Sequence, residues 1–345
     1  MIINSLFETA VKKQASDLHL SVGKSPILRI DGQLEFISKT EKLNRAGMEK
    51  MVYSILTANQ KEKFLKEKDL DFSYEISDGS RFRVNIFFEK DNVGLVARVI
   101  SSKIPTMEDI GMPQVVYEMT RARQGLILVT GPTGCGKSTS LAAMINLINS
   151  ERTSNIITLE DPVEFLFESE KSIIAQRQLG TDMVSFAKAL KHVLRQDPDV
   201  IMVGEMRDLE TIAATITLAE TGHLVLATLH THNAGQTIDR IVDVFPPFQQ
   251  NQVRLQLSMS LNGVISQQLL PKIGGGRMAV REILVNTPAI SNIIRENKIP
   301  QIKTAIQTSA DSGMVTFEQD LKRSVKDGLI DEEVAQYYLQ TLPKL

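Results

Sequence analysis

Residues 131–138 carry the strongest chemical signal in the chain. Their sequence, GPTGCGKS, matches the pattern G-x-x-x-x-G-K-[ST] in full. Its glycines allow the backbone to curl so that the N–H groups face a polyphosphate. Lys137 adds a positive charge at the β- and γ-phosphates, and the hydroxyl of Ser138 is a suitable ligand for Mg²⁺. The pattern predicts a loop that binds ATP and Mg²⁺ through Gly131, Thr133, Gly134, Cys135, Gly136, Lys137, Ser138 and Thr139.

Hydrolysis of a bound nucleotide also requires a carboxylate for the metal ion and a group that positions water. Glu205 ends the apolar segment DVIMVGE, where open parallel sheets place their ligands, so it is the predicted metal carboxylate. Its alternative role is that of a glutamate at the start of a helix. A second acidic cluster, Glu160, Asp161 and Glu164, follows the apolar segment NIITLE. We assign the positioning of catalytic water to Glu164, with Glu160 as the alternative.

The segment TGHLVLATLHTH contains three histidines. A metal site is not expected there, because no cysteine or carboxylate follows nearby to complete the ligand set. His230 ends a predicted strand at the sheet edge where the nucleotide should lie. We therefore predict that His230 acts in catalysis as a sensor of the γ-phosphate, and a structural hydrogen bond is the alternative role.

Two arginines, Arg81 and Arg83, lie in the segment RFRVN. Side chains of a strand alternate between its faces, so both arginines share one face. Guanidinium groups in this arrangement suit the recognition of phosphate or carboxylate. The alternative is an ordinary strand face in contact with water.

Two different patterns divide the chain into domains. Residues 1–100 combine short strands, turn signals and amphipathic helices, which predicts a small α+β domain. Residues 101–113 contain two prolines and a glycine and are the predicted linker. Residues 114–345 alternate apolar strands with helices, which indicates a mostly parallel sheet covered by helices. From about residue 285 the pattern is helical and polar, which predicts a C-terminal helical appendage.

The composition excludes several classes of protein. Lys and Arg number 39 against 41 Asp and Glu, for a net charge of −2, and aromatic residues make up 5%. Both values argue against a nucleic-acid partner. A single cysteine excludes an intrachain disulfide and a cysteine-based zinc site. Without a run of roughly 20 apolar residues, no membrane span is expected, so we predict a cytoplasmic protein, and any role at a membrane would have to come through a partner.

Four spaced motifs together resemble the family of secretion ATPases that serve type II secretion and type IV pili. GPTGCGKST resembles the phosphate loop of that family, ITLEDPVEF its acidic box, DPDVIMVGEMRD its metal-binding strand and TGHLVLATLHT its histidine box. Segment AISNIIRE (289–296) resembles a helix of the pilus-retraction branch, with Ser291 where that branch usually has arginine. The single cysteine also favours this branch, because many assembly-type relatives carry a four-cysteine zinc insertion.

The resemblance implies a RecA-like P-loop ATPase domain, a PAS-like N-terminal domain and a homohexameric ring with ATP between the two domains. Arg81 and Arg83 would then reach the phosphates. The implied function is a Mg²⁺-dependent ATPase motor for pilus retraction and twitching motility, located at the inner face of the inner membrane. Its implied partners are an inner-membrane platform protein and an accessory retraction ATPase. The alternatives are a pilus-assembly or type II secretion ATPase and, less favoured, a nucleic-acid translocase.

Overall fold

The computed structural model describes residues 3–30, 33–37, 40–100 and 104–341. The chain divides into two compact units, residues 1–103 and residues 104–345.

The first unit is built on an antiparallel sheet in which the strand order is β3-β2-β1-β6-β5-β4. Phe7, Phe64 and Phe82 are fully buried in its core, and the ring centroids of Phe7 and Phe82 are 4.4 Å apart. Its elements are α1 (Ile3–Lys12), β1 (Asp17–Leu20), β2 (Ile27–Ile30), β3 (Gln33–Phe36), α2 (Arg45–Tyr53), α3 (Ala58–Glu67), β4 (Asp69–Glu75), β5 (Arg81–Glu89) and β6 (Asn92–Ile100).

The second unit is built on a sheet in which the strand order is β13-β12-β7-β11-β10-β8-β9. All neighbouring strands are parallel except β12 and β13. Its elements up to the last strand are α4 (Gln114–Thr120), β7 (Gly125–Thr130), α5 (Lys137–Glu151), β8 (Asn155–Glu160), β9 (Ile173–Gln178), α6 (Phe186–Val193), β10 (Val200–Val203), α7 (Leu209–Glu220), β11 (Leu224–Leu229), α8 (Ala234–Asp243), α9 (Pro247–Ser260), β12 (Leu261–Pro271) and β13 (Arg277–Val285).

Helices cover both faces of this sheet, which explains why its central strands are apolar throughout. On β7, Leu126 and Leu128 belong to one buried cluster, whereas Ile127 and Val129 belong to another on the opposite face. Strands buried on both faces read as continuous apolar runs rather than as alternating ones. The carboxyl ends of the parallel strands meet at one edge, and the segments that follow them carry the predicted site residues of the second unit.

The second part of the predicted linker packs on the second unit. Residues 101–103 of the predicted linker 101–113 lie outside the described residues. In the part that is described, Met107 and Met112 are buried in the same cluster as Ile127 of the sheet. Arg281, which is 3% exposed, donates hydrogen bonds to the carbonyl oxygens of Ile110 (2.8 Å) and Gly111 (3.0 Å).

Helices follow the last strand, in the region where a helical appendage was predicted. They are α10 (Pro288–Arg295), α11 (Ile302–Thr308), α12 (Phe317–Lys326) and α13 (Glu332–Thr341). Phe317, Leu321 and Ala335 from this region form a buried cluster with Leu270 of β12 and Val280 of β13. Among the described residues, no helix is long and apolar enough to cross a membrane. The predicted fold class is confirmed: an α/β core, a smaller α+β N-terminal unit and C-terminal helices.

Candidate nucleotide-binding site

The predicted phosphate loop connects the end of β7 to the start of α5. Gly131 has a φ of 142°, and a Cβ there would lie 2.3 Å from the carbonyl oxygen of Gln267 and 2.6 Å from the Sγ of Cys135. Gly136 caps α5 at a φ of 88°, in the left-handed region that favours glycine. The N–H groups in the first turn of a helix have no intrahelical partners, and together with the helix dipole they attract an anion. The loop therefore has the local structure that phosphate binding requires.

Gln267 of β12 connects this loop to helix α5 through two hydrogen bonds of its side chain. Its side chain is 1% exposed, and its Nε2 donates to the carbonyl oxygen of Cys135 at 2.8 Å. Its Oε1 accepts a hydrogen bond from the hydroxyl of Ser140 on α5, also at 2.8 Å. Gln267 is not among the predicted site residues, because a glutamine in a strand ordinarily indicates a face in contact with water.

Cys135 is buried within the loop. Burial raises the pKa of its thiol, and the charge of Lys137 only partly opposes this effect. A buried thiol with a raised pKa is a poor nucleophile. The side chain of Cys135 therefore serves packing, and its carbonyl group serves the contact with Gln267.

Lys137 connects the phosphate loop to His230, which follows the neighbouring strand β11. Its Nζ donates to the carbonyl oxygens of Gly131 (2.7 Å) and Pro132 (3.1 Å) and lies 3.3 Å from the Nδ1 of His230. Burial lowers the pKa of Lys137, whereas the nearby charges, Glu205 and Glu164 among them, oppose that shift. The predicted phosphate ligand and the predicted catalytic residues of the second unit therefore share one electrostatic environment.

The carboxylate of Glu205 contacts His230 on one side and Arg207 on the other. Its Oε1 is 3.1 Å from the Nε2 of His230, and its Oε2 is 2.7 Å from a guanidinium nitrogen of Arg207. Burial alone would raise the pKa of Glu205, but the hydrogen bond and charge of Arg207, with the charges of His230 and Lys137, lower it. Glu205 is therefore ionised near neutral pH. Arg207 is not among the predicted site residues, although it lies two residues after Glu205.

The two candidates for positioning water have different surroundings. Glu160 is 7% exposed, and its Oε1 accepts hydrogen bonds from Thr158 (2.6 Å) and Gln176 (3.0 Å). Burial raises the pKa of Glu160. Glu164 is exposed, and its backbone N–H is hydrogen-bonded to the Glu160 carboxyl group. These surroundings favour Glu164 as the group that meets solvent, with Glu160 supporting its backbone.

A magnesium ion bound with a nucleotide takes most of its ligands from phosphate oxygens and water, and few from protein. Among the described residues, no group of three or more His, Cys, Asp and Glu side chains could hold a metal ion. The hydroxyl of Ser138 and the carboxylate of Glu205 are hard oxygen donors, which suit Mg²⁺ once phosphates complete the shell. The donor chemistry therefore fits a metal ion that is bound together with the nucleotide.

Arg81 and Arg83 belong to the first unit. They lie two residues apart on β5 and so share one face of its sheet. The Nε of Arg81 is 3.0 Å from the Oε2 of Glu75 on β4, and Arg83 is exposed opposite Arg98 of β6. Their proposed contact with phosphates stays a prediction.

Comparison with known proteins gives consistent matches over most of the chain. The model of a family described as "Type II/IV secretion system protein" matches residues 1–275. The type IV pilus retraction ATPase PilT of Pseudomonas aeruginosa is 48% identical over 336 residues, 97% of each chain. A twitching motility protein of Neisseria gonorrhoeae is 47% identical over 313 residues, 90% of this chain and 83% of that protein. A crystal structure of the pilus retraction motor PilT with bound ADP is similar at a TM-score of 0.92 and 45% identity, and the match covers 98% of this chain and 96% of that one.

Proposed function

We propose that this chain, which belongs to the type II/IV secretion system protein family, is an ATPase that powers pilus retraction. The predicted family is confirmed, and the predicted ATPase activity and twitching function agree with the names of the two relatives. The observation that carries the proposal is the link from Lys137 of the phosphate loop through His230 to Glu205. The link would bring the proposed phosphate-binding group close to the proposed metal carboxylate, and ATP hydrolysis uses both.

Nucleotide binding is proposed to begin at the loop. The N–H groups of the loop and of the first turn of α5 would bind the phosphates, and Lys137 would exchange at least one of its three present contacts for a phosphate oxygen. Ser138 and Glu205 would hold Mg²⁺, which neutralises charge that develops on the phosphates when it is bound. Thr133 lies within the loop and Thr139 in the first turn of α5, and both complete the proposed phosphate contacts.

Hydrolysis is proposed to use Glu164 and His230. Glu164 is exposed and acts electrostatically on Lys137, so its carboxylate can orient water toward the terminal phosphate. His230 contacts both Lys137 and Glu205, so its position depends on what occupies the space between them. We assign to His230 the role of sensing the γ-phosphate.

The first experiment separates binding from turnover. Glu164→Gln should retain ADP affinity while kcat falls by about 100-fold or more, the usual worth of a general base. Glu168→Gln, an exposed glutamate on the same segment, is the matched control and should hydrolyse ATP at the wild-type rate. A Glu164→Gln variant that keeps its kcat within about twofold would return the role to Glu160.

Lys137→Ala tests the phosphate loop itself. The variant should lose measurable ADP binding in calorimetry, because it loses the positive charge at the phosphates. Lys171→Ala removes an exposed lysine outside the loop and is the control. Unchanged ADP affinity in Lys137→Ala would refute the phosphate-loop assignment.

The wider assembly is proposed from the family. It comprises a homohexamer, an inner-membrane platform protein, an accessory retraction ATPase as a further partner, and a cytoplasmic location at the inner membrane. Arg81 and Arg83 are proposed phosphate contacts, and Arg81 would have to leave Glu75 to make them. Alanine at either position should lower kcat/KM, and unaltered values would assign both to a strand face in contact with water.

Deletion of the gene distinguishes retraction from the alternative functions. Surplus pili that no longer retract would support the proposal, whereas absent pili would indicate an assembly ATPase. ATPase activity stimulated by DNA would instead support a nucleic-acid translocase.

A further inference from the structure

A cavity of about 250 Å³ lies beside the phosphate loop, and His230, Glu205 and Glu164 are not among the residues that line it. Loop residues 132–135 form one wall. The other walls come from elements that the proposed hydrolysis does not use: Gln268 and Leu269 of β12, Arg277 of β13 and Tyr338 of α13. All of these residues belong to the second unit.

The strand order fixes which end of a nucleotide would face this cavity. β7, which leads into the loop, lies between β11 and β12. His230 and Glu205 follow β11 and β10, so the contact of Lys137 with His230 places the terminal phosphate on the β11 side. The nucleoside, at the other end of the phosphate chain, must then leave the loop toward β12 and β13. The cavity occupies that side.

The chemistry of the lining suits a base and a sugar rather than another phosphate. Leu269 offers an apolar surface close to the loop, since a Cβ added to Gly136 would lie 3.7 Å from its Cδ1. Tyr338 offers an aromatic ring, and nucleobases stack on such rings whatever their identity. Arg277 is exposed, and its guanidinium can stack on a base or bind the sugar and α-phosphate.

Tyr338 is held in place by the C-terminal helices. Its partly buried side chain packs against a cluster that includes Leu270, Leu321 and Ala335. The adjacent Tyr337 meets it edge-on, with ring centroids 5.9 Å apart, but is 65% exposed and does not line the cavity. The C-terminal helical region therefore contributes one defined side chain to the cavity.

We propose that this cavity binds the nucleoside half of the nucleotide, with Tyr338 stacking on the base and Arg277 contacting the base or sugar. The proposal rests on the proposed ATPase function, because it assumes that the loop binds the phosphates. It assigns the C-terminal helix α13 a direct part in nucleotide binding. Tyr338 and Arg277 are binding residues for the substrate and take no part in the bond-breaking step.

The test compares a ligand that has a base with one that lacks it. In calorimetry on the full chain, Tyr338→Ala should weaken ADP binding by about tenfold, the usual effect of removing one stacked aromatic side chain. Tripolyphosphate, which has no base, should bind the variant as it binds the wild type. Tyr338→Phe keeps the ring and should retain ADP affinity, and Tyr337→Ala is the matched control.

Two results would overturn the proposal. ADP affinity within about twofold of wild type in Tyr338→Ala would exclude stacking, and an equal loss for ADP and tripolyphosphate would place the effect in the phosphate loop. If Tyr338→Ala unfolds α13, Arg277→Ala is the deciding variant. Its affinity for ADP should fall by about fivefold while its affinity for tripolyphosphate is unchanged. Unchanged ADP affinity would refute the proposal. If the wild-type chain binds neither ADP nor tripolyphosphate, the proposed ATPase function is refuted. This result differs from the two that refute only the nucleoside site.

Discussion

Gln267→Leu is expected to destabilise the second unit and weaken nucleotide binding at the same time. Gln267 is 1% exposed, and it bonds the carbonyl oxygen of Cys135 and the hydroxyl of Ser140, both at 2.8 Å. Leucine approximates its volume but leaves both partner groups buried and unpaired, at about 1–3 kcal/mol each. The free energy of unfolding should therefore fall by roughly 2–6 kcal/mol. Because the Cys135 contact fixes the loop, the dissociation constant for ADP should rise about tenfold or more, equivalent to about 1.4 kcal/mol.

Urea denaturation measures the first effect, and calorimetry with ADP measures the second. Gln252→Leu, at an exposed position on α9, is the matched control and should change neither quantity. Adding Ser140→Ala to Gln267→Leu removes the Ser140 hydroxyl, one of the two buried groups that Gln267→Leu leaves without a partner. The double variant should therefore lose less stability than the sum of the two single variants.

A specific result would refute this reasoning. If Gln267→Leu unfolds within about 0.5 kcal/mol of wild type, the range of ordinary surface substitutions, its two hydrogen bonds contribute nothing to stability. If the variant is destabilised but binds ADP normally, the loop does not need support from β12. Strict additivity with Ser140→Ala would show that the two side chains act independently.

Three further predictions concern buried polar groups. Burial raises the pKa of Glu282 above its usual 4.5 in the folded protein. The folded state therefore holds this proton more tightly than the unfolded chain does, and the free energy of unfolding falls as the pH rises from 4.5 through the raised pKa. In urea denaturation, the stability of Glu282→Gln relative to the wild type should therefore increase as the pH rises above 4.5, and parallel pH profiles would contradict this. Arg281→Met removes two hydrogen bonds from a charged donor to carbonyl groups that water can partly reach, so we expect a loss of roughly 1–3 kcal/mol in stability and faster hydrogen exchange in residues 104–113; unchanged exchange would refute it. The Cys135 thiol should resist iodoacetamide until urea unfolds the chain, and rapid labelling of the native protein would count against its burial.

The strands that carry the proposed catalytic groups were predictable because their signals are local. β7, β8, β10 and β11 are apolar runs followed directly by the glycine loop, the acidic cluster, Glu205 and His230. Parallel strands bring their carboxyl ends together, so the shared edge follows from the sequence. The 3.1 Å contact between Glu205 and His230 requires the strand order as well, which places β10 beside β11.

The support of the loop could not be predicted, because it depends on residues far apart in the chain. Gln267 lies 132 residues from Cys135 and 127 from Ser140, and a polar residue in a strand gives no sign of being buried. The predicted linker shows the same limit. Its prolines and glycine indicate a loop, but Arg281, 170 residues from Gly111, holds the second part of it on the second unit.

The contacts of Lys137 connect the loop to Glu205, the proposed metal carboxylate, through His230. An ammonium group has three donors, and three acceptors are within reach of this one: two loop carbonyl oxygens and the Nδ1 of His230. An imidazole ring has a nitrogen on each side, so His230 can contact Lys137 through Nδ1 and Glu205 through Nε2 at the same time. A phosphate that binds Lys137 must replace at least one of the three acceptors. If the phosphate replaces His230, the imidazole loses Lys137 and keeps its contact with Glu205. Binding of the terminal phosphate would then change the surroundings of Glu205, the residue that would hold the metal ion.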